Sequence, residues 1–289
     1  MSEIAEVRRL QRLVPAQATA DGAGVRLYRS LGSAPALRWD PFLMLDEFAS
    51  EDPREYLGGF PAHPHRGFET VTYMLDGRMR HEDSLGNRGD LGPGDVQWMS
   101  AARGVIHSEM PQQQEGRMRG FQLWINLPAR DKMRPAWYRD VPAAQIPVAD
   151  LEGGGTAHVI RGSVRQGALS TEGPVRIESA ASLYLDIHLA PGAACSVPVA
   201  AEHNGLVYVY EGDLALGAEG APVPRRHAGL LCPGGAVQAR AGAAGARFLL
   251  LTGTPLGEPI VQLGPFVMNT RAQIERAVAD YHSGELGRA

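Results

Sequence analysis

GFPAHPHRGFETVTYMLDG, residues 59–77, carries two histidines one residue apart, ahead of a run rich in β-branched and aromatic side chains. Successive side chains of a strand point to opposite faces, so His63 and His65 point the same way. The run TVTYML, residues 70–75, has the composition of a strand. A single extended segment puts His63, His65, Val71, Tyr73 and Leu75 on one face, an apolar wall with two imidazoles at its edge. Metal sites inside β-barrels are built in this way, although an isolated His-x-His also occurs on surfaces and in cores.

GDVQWM (residues 94–99) reads as a turn into a second strand, and GVIHSE (residues 104–109) follows it. His107 and Glu109 are again two apart and share a face of any extended segment. Converging from neighbouring strands, the two pairs supply three neutral imidazoles and one carboxylate. Such a set suits a divalent first-row metal and leaves coordination positions open. The plainer alternative makes Glu109 a solvated charge and His107 a hydrogen-bonded core residue. The presence of both pairs favours the metal.

The chain has 289 residues, enough for one large domain or two ordinary ones. Hydrophobic content of 44% and charged content of 21% are those of a soluble globular protein. A net charge of −4 and the lack of a dense basic run argue against direct nucleic-acid binding. Cys195 and Cys232 are the only cysteines, too few for a disulfide framework or a zinc motif, which fits a reducing cytoplasm. Met1–Pro15 lacks the apolar core of a signal peptide, and no window is long enough to span a membrane. A cytoplasmic location is expected.

From Gly59 to about Pro128, short strands are punctuated by Asp76-Gly77, Gly86-Asn87, Gly89 and Pro93-Gly94, the pattern of an all-β barrel or sandwich. Residues 129–155 are Pro-rich, charged and aperiodic, and connect to a second half that looks like a copy of the first. LVYVYEG (residues 206–212) matches VTYMLDG (residues 71–77). Placing Gly77 on Gly212 sets Pro198 at His63, Ala200 at His65 and Asn204 at Glu69. Placing Pro93-Gly94 on Pro233-Gly234 sets Arg247 at His107 and Leu249 at Glu109. The expected organisation is a metal-binding domain, residues 1–135, followed by a domain without the ligands, residues 136–289, ending in an extension and a helix. Asn269-Thr270 can cap that helix, with Ile274, Ala277, Val278 and Tyr281 at helical spacing and Gly284 at its end.

HPHRGFET (63–70), GDVQWM (94–99), HSEMP (107–111) and GPFVMN (264–269) resemble the pirins, members of the cupin superfamily. The similarity runs over nearly the whole chain and implies an all-β fold of two jelly-roll-like β-barrels packed face to face. It implies metal ligands at His63, His65, His107 and Glu109 of the first barrel. The ion implied is a single divalent one, usually Fe(II), with Zn, Mn, Ni, Co or Cu also accepted. In most cupins the fourth ligand is the Glu of the first motif, here Glu69. The pirin pattern favours Glu109 and leaves Glu69 behind the ligands or in the core.

Pirin-like proteins of bacterial type resemble quercetin 2,3-dioxygenases, which open the central ring of a flavonol with O2 and release carbon monoxide. This implies a small flavonol-like aromatic substrate alongside O2. Glu109 is the only proposed ligand able to act as a base. Phe60, Met79, Trp98 and Trp124 are candidates for an apolar entrance, each equally at home in a core. The alternative is an iron-dependent redox sensor that binds a partner protein, either a metabolic enzyme or a transcription factor. Another cupin reaction, such as sugar isomerisation, also satisfies the ligand set, because fold and ligands do not fix the substrate.

Overall fold

The structure, a computed structural model, describes residues 6–288. Met1–Ala5 and Ala289, the outermost residues of the two expected domains, lie outside the described residues. The architecture is all-β, with short 3-10 turns and one α-helix, Arg271–His282. Two compact units divide the chain, and each draws on separated segments. One holds residues 17–33, 42–143 and 256–288, and the other holds 6–16, 34–41 and 144–255.

The expected division after residue 135 therefore differs from the structure at both ends of the chain. Arg8 explains the N-terminal exchange. A buried guanidinium must find acceptors, and Arg8 donates to the carbonyls of Gly234 (2.8 Å), Ala200 (2.7 Å) and His203 (2.7 Å). The strand Leu10–Pro15 then pairs antiparallel with His227–Leu231.

In the unit that carries the paired histidines, a seven-stranded sheet runs in the order Trp137–Val141, Val96–Ser100, Phe68–Asp76, Met118–Asn126, Phe42–Ser50, Val25–Leu31, Gln17–Asp21. A four-stranded sheet runs Phe60–His65, Val105–Pro111, Met79–Asp83, Arg88–Leu91. All these pairings are antiparallel. Residues 59–77 are thus two strands in two sheets, and the chain changes sheet at Arg66-Gly67. The single face predicted for His63, His65, Val71, Tyr73 and Leu75 does not exist.

Gly67 makes the corner. Its φ is +93°, and a Cβ there would collide with the Val267 carbonyl oxygen, so no other residue fits. The Arg66 amide donates to the Pro265 carbonyl (3.2 Å) and the Val267 amide to the Arg66 carbonyl (3.0 Å). HPHRGFET and GPFVMN, far apart in sequence, are two sides of one corner. Lys132, the only lysine, is buried against it and donates to the Gly67 carbonyl (2.7 Å), Asn126 Oδ1 (2.6 Å) and the Val267 carbonyl (3.1 Å). Three acceptors match the three N–H groups of an ammonium. Burial pushes the Lys132 pKa down to about 8, so the side chain stays charged at neutrality.

The C-terminal helix belongs to this same unit. Thr270 and Gln273 form a capping box at its start, satisfying backbone donors that a helix end leaves free. Ile274 and Ala277 are buried with Phe266, Met268 and Leu286, and Ile106 packs against them. Ile106 lies on the strand that carries His107, so the helix backs that strand. Arg66 adds an ion pair to Asp280 (2.8 Å). Tyr281, predicted on the apolar face, is 36% exposed.

The second unit has a nine-stranded antiparallel sheet and a separate hairpin, Ser163–Gln166 with Leu169–Glu172, around an apolar core that includes Leu183, Leu185, Ile187, Val207, Val209 and Phe248. Val197 and Val237 face each other in register, as His63 and His107 do in the first unit. The strand His227–Leu231 pairs with Asn204–Leu216 as Val96–Ser100 pairs with Phe68–Asp76. The turn at Pro233-Gly234 therefore corresponds to the one before Val105, and not to Pro93-Gly94. That corrects the expected equivalence of Arg247 and Leu249 with His107 and Glu109. Repeated Pro-Gly turns make such slips easy: anchoring on the wrong one moves the counterpart of His107 from Val237 to Arg247.

Candidate metal centre

Val105–Pro111 lies between Phe60–His65 and Met79–Asp83, and the register sets His107 opposite His63 on one side and Asp83 on the other. His63 Nε2 is 3.0 Å from His65 Nε2 and 2.9 Å from His107 Nε2. One ring nitrogen from each of the three lies within 4.8 Å of the others. His63 and His65 come from alternate positions of one strand, and His107 from its neighbour. Alternation and pairing alone are enough to converge them.

A hydrogen bond behind the ring selects the tautomer of His63, and a contact with a fourth imidazole bears on that of His107. His63 Nδ1 donates to the Pro61 carbonyl (2.8 Å), which leaves Nε2 of a neutral ring with its lone pair facing the cluster. His107 Nδ1 lies 3.2 Å from His81 Nδ1. His81 Nε2 lies 3.5 Å from the Asp83 carboxylate, with both side chains fully buried, and makes no hydrogen bond there. A proton on His81 Nε2 lets its Nδ1 accept from His107, freeing His107 Nε2. Burial, followed by the neighbouring imidazoles, holds His65 and His107 well below the usual histidine pKa. The donor set fits a divalent metal: neutral rings with convergent lone pairs repel one another until a cation takes them up.

His81 and Asp83 do not figure among the sequence candidates, although HED at residues 81–83 repeats the one-residue spacing that marks the other pairs. Supporting groups of this kind hold a ligand's tautomer and orientation. His81→Leu keeps much of the volume and removes the acceptor. It is expected to weaken metal affinity by about 10–100-fold while leaving the circular dichroism spectrum unchanged, as measured by competition with a chelator of known affinity.

Glu109 stands outside the three-imidazole cluster. It is 4% exposed, and Thr72 Oγ1 donates to its Oε1 (2.9 Å) while Gln122 Nε2 donates to its Oε2 (3.4 Å). Against Met79–Asp83 the register is unbroken from His107 to Glu109, so the two side chains share one face of their strand. Glu109, His63 and His65 line one cavity of about 610 Å³, together with Phe60, Met79 and Trp124. Trp124 meets His65 edge-on, with ring centroids 5.2 Å apart.

Trp98 and Glu69 are elsewhere. Within Phe68–Asp76, Thr72 points toward the cavity, so Glu69, at odd spacing from it, points away. Trp98 sits opposite Val71 on that far face and donates from Nε1 to Glu69 Oε2 (3.2 Å). Both residues are 0% exposed. Trp98 is thus in the core and not at the entrance, and of the two places expected for Glu69, behind the ligands or in the core, it takes the core. The cause is the corner at Gly67, which resets the alternation between His65 and Glu69.

Known proteins share this architecture. The Pirin family model matches residues 24–125 and the Pirin C-terminal cupin domain matches residues 184–287. A Pseudomonas aeruginosa protein, named as a candidate quercetin 2,3-dioxygenase, is 51% identical over 268 residues, covering 92% of this chain and 94% of its own length. Human Pirin is 40% identical over 272 residues, covering 93% of this chain and 90% of its own. A crystal structure of quercetin 2,3-dioxygenase from Acinetobacter baumannii superposes with a TM-score of 0.88 at 33% identity, over 97% of this chain and 99% of that one. With both family models matched and relatives aligned over nearly its full length, this chain belongs to the pirin family.

Proposed function

We propose that the protein is a metal-dependent dioxygenase of the quercetin 2,3-dioxygenase type, opening the central ring of a flavonol-like substrate with O2. His63, His65 and His107 hold one divalent ion, Fe(II) in the first instance, with Zn, Mn, Ni, Co or Cu as alternatives. The observation that carries this reading is a cluster of three convergent imidazoles, two of which, His63 and His65, share the wall of one cavity with a buried carboxylate and apolar side chains. The names of the related proteins agree with it.

Bound there, the ion supplies a Lewis acid that lowers the pKa of a substrate hydroxyl and a place for dioxygen beside it. The chain's own residues do the rest. Three neutral ligands leave the ion's charge undiminished. Glu109, held by Thr72 and Gln122, takes the proton of the substrate hydroxyl onto a carboxylate oxygen. Phe60, Met79 and Trp124 exclude water from a flat aromatic ring. In the overall reaction both oxygen atoms of O2 enter the product, and one ring carbon leaves as carbon monoxide.

Protein reconstituted with each metal in turn is to be mixed with a flavonol with and without oxygen, and carbon monoxide measured in the headspace. Release that needs both oxygen and metal is the expected result. Its absence with every metal sinks the dioxygenase reading.

A further inference from the structure

Four polar residues lie in one register row across the inner face of the seven-stranded sheet. Thr72 pairs with Gln122, Gln122 with Asp46, and Asp46 with Arg29. Directly paired residues point to the same side of a sheet, and all four line the cavity. The row on one side is apolar where it lines the cavity, with Trp124 opposite Met44. So is the row on the other, with Phe48 opposite Leu27. Strands are about 4.8 Å apart, so the polar row runs roughly 14 Å, the scale of a three-ring planar molecule. Glu109 is bonded at the Thr72–Gln122 end. Arg29 closes the other end, with a fork on Asp46 (Nε to Oδ1 2.8 Å, Nη2 to Oδ2 2.7 Å) and a further bond from Nη2 to Asp21 (2.9 Å).

We infer that Arg29, held by Asp46, is the specificity-determining residue for the end of the substrate remote from the metal, where it reads phenolic or carboxylate oxygens. The inference rests on the dioxygenase reading for the identity of the reacting end. Both carboxylate partners engage Nε and Nη2, so Nη1 keeps its donors for a ligand. The Arg29 side chain retains 20% of its exposure although Asp46 retains only 3%: the acid is sealed and the base looks into the cavity. Stability alone does not call for such a pair, since apolar side chains of similar volume commonly serve as well. A ligand that fits is elongated and planar. It places one acidic hydroxyl near Glu109, aromatic surface over Phe48 and Trp124, and hydrogen-bond acceptors at Arg29.

The test uses three flavonols that carry no, one or two hydroxyls on the pendant ring, bound without oxygen to the metal-loaded protein and followed by tryptophan fluorescence. Affinity is expected to rise by about tenfold or more from none to two, the size of one charge-assisted hydrogen bond. Arg29→Lys, which keeps a cation for Asp46 but loses the fork, is expected to compress that range to about twofold. The double variant Arg29→Met with Asp46→Leu, which removes both charges together, is expected to do the same.

Equal affinities in the unmodified protein, no binding by any of the three, or a range that survives both variants overturns the inference. The two readings separate cleanly. Graded binding without carbon monoxide release keeps the subsite and removes the reaction. Carbon monoxide release without graded binding keeps the reaction and removes the subsite.

Discussion

His107→Ala protein is expected to leave reconstitution with less than about a tenth of an ion per chain, against about one for the unmodified protein. Loss of a group that merely supports a ligand costs about 10–100-fold in affinity, and His107 is itself at the centre of the cluster. Its Nε2 is 2.9 Å from that of His63, and without it only the two rings of one strand remain. Thermal unfolding supplies a second readout. An ion bound only by the folded state contributes about 4 kcal/mol at a thousandfold excess over its Kd, so adding metal raises the unfolding temperature of the unmodified protein. That rise should vanish in His107→Ala. His203→Gln is the control, because His203, beside Thr254 Oγ1 at 3.3 Å, belongs to the other unit and should keep full ion content. Unchanged metal in His107→Ala would put the ion elsewhere and leave the proposed chemistry without a centre.

The parts of this architecture that are local in the chain are visible in sequence. Alternation brings His63 and His65 to one side of a strand, and the cap at Thr270 announces the helix. What escapes is whatever depends on a contact between distant segments. Gly67 turns the chain into a second sheet because the Val267 carbonyl leaves no room for a side chain, and nothing within residues 59–77 says so. From that corner follow the far-side positions of Glu69 and Trp98. Arg8 likewise assigns the N-terminal segment to the later half of the chain through three carbonyls that no periodicity reveals. The row from Thr72 to Arg29 needs the order of four strands before it can be seen. Two of them, Val25–Leu31 and Phe42–Ser50, are separated by residues that belong to the other unit.

Glu109→Gln is expected to retain its metal and lose flavonol turnover by about 10²–10⁴-fold in kcat, the range associated with a positioned general base. The amide has the shape of the carboxylate and can keep partners in Thr72 and Gln122, so the cavity wall survives while the proton acceptor does not. Raising the pH separates the roles open to this residue. Once solvent base ionises the substrate hydroxyl unaided, a proton acceptor has no work left, and the deficit of the variant should shrink. A residue needed to hold the ion would instead show lowered metal content at every pH, with a deficit that does not narrow. Full activity in Glu109→Gln removes the base role altogether, and the carboxylate would then be a support for Thr72 and Gln122 at the head of the polar row.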